Sequence, residues 1–139
     1  MNVIDEIPFW TDADSVHVKL FDLQHQHLFK LLHRLETEMR EGRARDRLYQ
    51  FLADVADYAA EHFATEEAVM RAYEYPFREL HAQEHRKLAS MIARFRDQEA
   101  AGDPAASLSV LRGMREWISG HLQVTDRPCT EFLNARGFR

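Results

Sequence analysis

Apolar residues recur along this chain at alternating steps of three and four, the spacing that puts a stripe on one face of a helix. The first stripe runs Phe21, Leu28, Leu32, Leu35 and Met39, and a histidine, His25, completes the alternation. The second reads Leu52, Val55, Ala59, His62, Glu66, Val69 and Tyr73. The third reads Phe77, His81, His85, Leu88, Ile92 and Phe95, and the fourth Val110, Met114, Trp117, His121 and Val124. Gly42, the Tyr75-Pro76 pair and Gly102-Asp103-Pro104 separate the four stretches, and such residues stop and restart helices. The connections are short, so neighbouring helices are predicted to run antiparallel in an all-α, up-down-up-down four-helix bundle. Residues 1–20, with Pro8, Trp10 and the acids Asp5, Asp12 and Asp14, carry no sustained period and are expected to form an arm packed on the bundle. The bundle itself is expected over 21–127. Residues 128–139 are expected to be a tail holding a last short turn, anchored by Phe132 and Leu133. The whole of 1–139 reads as one domain without internal repeats.

The informative feature is what interrupts the stripes. His25, His62, Glu66, His81, His85 and His121 all take core-facing positions, and His81 and His85 at i, i+4 lie one turn apart on a single face. One core histidine is commonly hydrogen-bonded to a backbone carbonyl. Five histidines and a glutamate on the inner faces of four successive helices would each need an unrelated partner, because a buried polar group left unpaired is costly. A metal centre accounts for all six at once.

Composition narrows the function. In 139 residues, 18 Lys plus Arg against 23 Asp plus Glu give a formal charge of -5, which argues against nucleic acid as a partner. The single cysteine, Cys129, permits no internal disulfide and suits a reducing compartment. The first ten residues include Asp5 and Glu6 and lack a basic start and an apolar core, so no signal peptide is expected. No apolar run approaches the roughly 20 residues of a membrane span. A soluble, cytoplasmic protein with no membrane insertion is expected; its protein partner is unknown.

Four fragments together resemble a known family. Asp22-x-Gln24-His25, His62-Phe63-x-x-Glu66-Glu67, Tyr75-Pro76 followed by His81-x-x-x-His85, and Trp117-x-x-x-His121-x-x-x-x-Asp126 are similar to the single-domain bacterial hemerythrins over nearly the whole chain. The resemblance implies a non-heme di-iron centre, two iron ions joined by an oxo or hydroxo bridge, with no heme. It implies Glu66 and Asp126 as bridging carboxylates, His81, His85 and His121 on one iron, and His25 and His62 on the other. Asp126 rests on this resemblance alone, since five residues beyond His121 is about 140° round an ideal helix. Close by, Pro128 lacks a backbone N–H and is expected to kink or end the helix. Three positions depart from the family's usual pattern: His17 stands in Ser15-Val16-His17-Val18 where glycine is common, His33 replaces a common asparagine, and Cys129 replaces a tyrosine. His17, His27 and His33 read as surface or loop histidines and Cys129 as a small buried residue.

Coordination arithmetic carries the expected chemistry. Two six-coordinate ions joined by two carboxylates and one oxygen, and held by five histidines, keep a single open position, on the ion with two histidines; mixed imidazole and carboxylate ligation suits iron. The expected function is reversible binding of dioxygen, as carrier, store or delivery protein and not as an enzyme, in a pocket lined by Leu28, Phe63, Trp117, Ile118 and Val124. Three other readings compete with this one. His81-Ala82-Gln83-Glu84-His85 matches a zinc-peptidase pattern, but the helix phase already directs both histidines into a core with three more. A ferritin-like di-iron oxidase uses Glu-x-x-His motifs, which this sequence lacks. A sensor of oxygen or nitric oxide, or an iron reservoir, keeps the same site but needs an output that the chain does not display.

Overall fold

A computed structural model of the chain describes residues 10–139. Pro8 and Asp5 of the expected arm lie outside the described residues. Four long helical rods form an antiparallel bundle. They are α1 (Lys19–Arg40), α2 (Ala44–Ala72), α3 (Arg78–Ala100), and a last rod in which α4 (Ala106–Gly120) runs through a π-helical turn (His121–Asp126) into α5 (Arg127–Ala135). Helix α1 packs on α2 and α4, and α3 packs on α2 and α4, closing the ring; no strand occurs among the described residues.

Each break has a local cause. After α1, Gly42 takes φ +74 and the Arg43 N–H reaches back to the Glu38 carbonyl at 2.7 Å, a left-handed closure that glycine makes without a Cβ penalty. After α2, Glu74 adopts φ +53, and the Tyr75 N–H bonds the Met70 carbonyl at 2.9 Å. His17, in the position where the resembled family favours glycine, lies at φ +56. The left-handed backbone explains that preference.

The C-terminal stretch corrects the expectation of a tail. Pro128 does not end the helix. It falls at the start of α5, where a missing N–H is tolerated, and the chain stays helical for the nine residues of Arg127–Ala135. The accommodation lies just upstream, in the π-helical turn. The described part of the arm, residues 10–18, is tied down: Thr11 caps a 3₁₀ turn at Asp12–Asp14, and Trp10 packs against the main core. Asp22 accepts hydrogen bonds from Ser15 Oγ at 2.6 Å and from the Val16 N–H at 2.9 Å.

Two apolar clusters fill the bundle. The larger includes Leu28, Leu32, Leu35, Phe51, Val55, Leu88, Val110 and Met114, and the smaller is Val16, Val18, Phe21, Met70, Tyr75, Cys129 and Leu133. On every rod the polar core residues fall between the two: His25 between Phe21 and Leu28, His62 and Glu66 between Ala59 and Met70, His81 and His85 between Tyr75 and Leu88. The stripes thus deliver the polar groups to one layer of the bundle.

Candidate metal centre

His25, His62, Glu66, His81, His85, His121 and Asp126 are all buried, each at most 5% exposed, and converge in that layer. Their donor atoms form two groups, Glu66 with His81, His85 and His121, and His25 with His62, Glu66 and Asp126; within each group the atoms lie within 4.8 Å of one another. The carboxylates span both. Glu66 turns Oε1 to His62 Nε2 at 2.9 Å and Oε2 to His81 and His85 at 2.9 and 3.0 Å. Asp126 turns Oδ2 to His25 at 3.0 Å and Oδ1 to His121 and His81 at 2.9 and 3.2 Å.

The π-helical turn explains how Asp126 reaches this layer. Hydrogen bonding from i to i+5 widens the turn, so the residue five positions after His121 returns to the face that His121 occupies. An ideal period of 3.6 residues per turn carries no sign of this.

The donor set fits a cation. The Nε2 atoms of His25, His62, His81 and His121, Glu66 Oε1 and both Asp126 oxygens are buried without a hydrogen-bond partner, although they face one another. Orphaned buried polar atoms of this kind call for a ligand, and imidazole nitrogen with carboxylate oxygen is a donor set for divalent transition metals. Proton affinities follow the same geometry. Burial pulls the His81 imidazole down, but the facing Asp126, Cys129 and Glu66 outweigh it and push it up to about 12. Burial likewise lowers His25, and Asp126 and Glu66 raise it to a net increase. Burial drives the Glu66 carboxyl up, yet His62, His81 and His85 hold it well below the ordinary range; Asp126 is lowered too, against burial and the Glu66 charge, by His121 and His25.

Around the ligating nitrogens stand groups that the helix stripes did not flag. Gln24 Oε1 lies 2.5 Å from His62 Nδ1 and Glu67 Oε2 lies 2.8 Å from His85 Nδ1, contacts that fix ring orientation and tautomer. Tyr58, one turn before His62, stacks on its ring at 5.4 Å. A readable signal existed for each: Gln24 precedes His25, Glu67 follows Glu66, and Tyr58 is at i−4 from His62.

The expected pocket residues divide. Leu28 and Ile118 are buried, Phe63 stacks on His85 at 4.0 Å, and Trp117 stacks on His121 at 4.3 Å. Val124 does not join them. It is 74% exposed, because the π-helical turn that brings Asp126 inward rotates Val124 out toward Tyr75, Phe77 and Leu80. Of the other histidines, His17 and His27 are exposed, while His33 is half-buried beside Trp10 and Phe29. Cys129 is buried in the smaller cluster.

An antiparallel four-helix bundle with a two-lobed histidine and carboxylate centre defines a metal-binding helical protein. The profile of the Hemerythrin HHE cation binding domain matches residues 16–128, and the chain belongs to that family. It is similar to the bacteriohemerythrin of Methylococcus capsulatus, with 28% identity over 86% of this chain and 94% of that one. The bacteriohemerythrin of Stenotrophomonas maltophilia is 26% identical over 91% of this chain and 81% of its own length. A crystal structure described as that of a leucine-to-phenylalanine mutant superposes with a TM-score of 0.77 at 27% identity, covering 94% of this chain and 98% of the other. No helix among the described residues is long and apolar enough to cross a membrane.

Proposed function

We propose that this chain binds dioxygen reversibly at a non-heme di-iron centre, as a carrier or store rather than an enzyme. His81, His85 and His121 would hold one iron, His25 and His62 the other, with Glu66 and Asp126 shared. The observation that carries the reading is the division of each carboxylate between the two histidine groups, one oxygen to each side. Unequal donor sets, three imidazoles against two, favour ligand entry on the His25 and His62 side. A di-iron pair, when bound, supplies two electrons to a small ligand and recovers them on its release.

The protein's part is to hold and to exclude. Gln24 and Glu67 keep His62 and His85 oriented. Phe63 and Trp117 cover the His85 and His121 rings with apolar surface, buried Leu28 and Ile118 lie about one turn from His25 and His121 in sequence, and water exclusion limits proton leakage into a reactive site. Membership of the hemerythrin family supports the same reading.

The test is an iron assay paired with visible spectra of the reduced protein before and after oxygen is admitted, then after it is withdrawn. About two irons per chain and a spectrum that reverses are expected. One zinc per chain, or an oxygenated spectrum that vacuum fails to reverse, would overturn the proposal.

A further inference from the structure

The centre described above leaves Tyr58 without a role. Its ring stacks on the His62 imidazole, centroids 5.4 Å apart and planes 15° apart, and also on His27 of α1 at 6.0 Å and 9°. The residue is 7% exposed, and its hydroxyl oxygen is buried with no hydrogen-bond partner. An orphaned buried hydroxyl is destabilising; phenylalanine would give the same stack without that penalty. Packing alone therefore does not account for the oxygen.

The surroundings indicate where the hydroxyl is useful. A phenol keeps its proton near neutral pH, and the stack on His62 sets Tyr58 against the His25 and His62 side of the centre. A groove of about 550 Å³ between α1 and α2, lined by Leu23, Gln24, His27 and Leu31 among others, opens to solvent and has Tyr58 and His62 in its wall. The groove gives a small ligand a route from solvent to the wall that Tyr58 and His62 share.

We infer that the Tyr58 hydroxyl donates a hydrogen bond to a small anionic ligand on the His25 and His62 side of the centre, favouring ligands that carry negative charge when bound. This rests on the di-iron reading. A neutral O–H donor stabilises a charged acceptor more than a neutral one, so the phenol acts on ligand preference rather than on metal retention.

The test uses the full chain, iron-loaded and oxidised, as wild type and as Tyr58→Phe, titrated with azide and followed by its visible band and infrared stretch. Both proteins should hold the same iron, and Tyr58→Phe should bind azide about tenfold or more weakly, the loss of one hydrogen bond to a charged group. The azide stretch should shift between H₂O and D₂O in wild type and not in the variant. In metal-free protein, Tyr58→Phe should melt no lower than wild type, because it removes an unpartnered hydroxyl. Equal azide affinities, an absent isotope shift in wild type, or a lower melting point of the metal-free variant would overturn the inference. Iron-loaded wild type that binds no azide would overturn it and leave oxygen binding to its own assay; wild type that retains no iron would overturn both.

Discussion

Replacing Glu66 with alanine removes the carboxylate that three imidazoles face, at 2.9 Å from His62, 2.9 Å from His81 and 3.0 Å from His85. In the metal-free protein this group also helps hold the raised proton affinities of His25 and His81. Removing one partner from a buried ion cluster costs about 3–5 kcal/mol, because the remaining charge stays buried and uncompensated. For a chain of this length roughly 3–5 °C of melting temperature accompanies each kcal/mol, so a fall of about 10–20 °C is expected. Iron at saturation should drop below two per chain, since Glu66 belongs to both donor groups. The control is Glu67→Ala. Glu67 is about a third exposed and makes one contact, at 2.8 Å to His85 Nδ1; its loss should cost about 1 kcal/mol and weaken metal affinity about 10–100-fold. Full stoichiometry at saturating iron should survive. Calorimetry with and without metal, beside an iron assay at saturation, separates the two. Equal effects on stoichiometry from Glu66→Ala and Glu67→Ala would refute the assignment of Glu66 to the inner face and Glu67 to orientation.

Three further outcomes are expected. Metal-free protein should be most stable between about pH 4.5 and 6.5. The raised His25 and His81 contribute stability that is complete below their unfolded value of 6.5 and drains away as pH rises, toward about 12 for His81; the lowered Glu66 and Asp126 contribute above 4.5 and 3.8 and fail on acidification. His81 alone should account for about 3 kcal/mol lost by pH 8.5, and urea midpoints that rise from pH 6 to 8.5 would contradict this. His17→Gly relieves a left-handed backbone at an exposed residue and should raise stability by about 0.5–1 kcal/mol, read as a higher urea midpoint at unchanged slope. Val124→Thr, at a position 74% exposed, should leave iron content and the lifetime of the oxygenated form unchanged and shift stability by less than about 0.5 kcal/mol; a faster decay would return Val124 to the pocket.

The bundle and most of its centre were legible because helices 1 to 3 keep an ideal period through the polar interruptions. His25, His62, Glu66, His81 and His85 follow from steps of three and four, and all five lie in the layer that those steps assign. Asp126 and Val124 exchange places relative to the simple phase, Asp126 turned inward and Val124 outward, because the period changes within the six residues of His121–Asp126. Pro128 marked the disturbance but not its form. Gln24 and Glu67 escape the stripes for another reason: each lies beside a stripe rather than on it and reaches a ligating histidine through its side-chain length, while Tyr58, at a stripe spacing from His62, reads as an ordinary core aromatic.

The π-helical turn also joins the centre to the rest of the chain. An α-helix offers the positions three, four and seven residues away as neighbours on one face, none of which is the fifth. Widening the turn gives the carboxylate access to His25 on α1, His81 on α3 and His121 on its own rod at once. Such a turn is rare and commonly marks a functional site, and here hydrogen bonds brace it. Thr130 Oγ1 donates to the Asp126 carbonyl at 3.1 Å, and the Arg127 guanidinium donates to the Ala13 and Ser15 carbonyls of the arm. Ser15 is in turn bound to Asp22, three residues before His25. Residues 13–16 of the arm, the widened turn and the first helix therefore form one connected set, joined through Arg127 and Asp22.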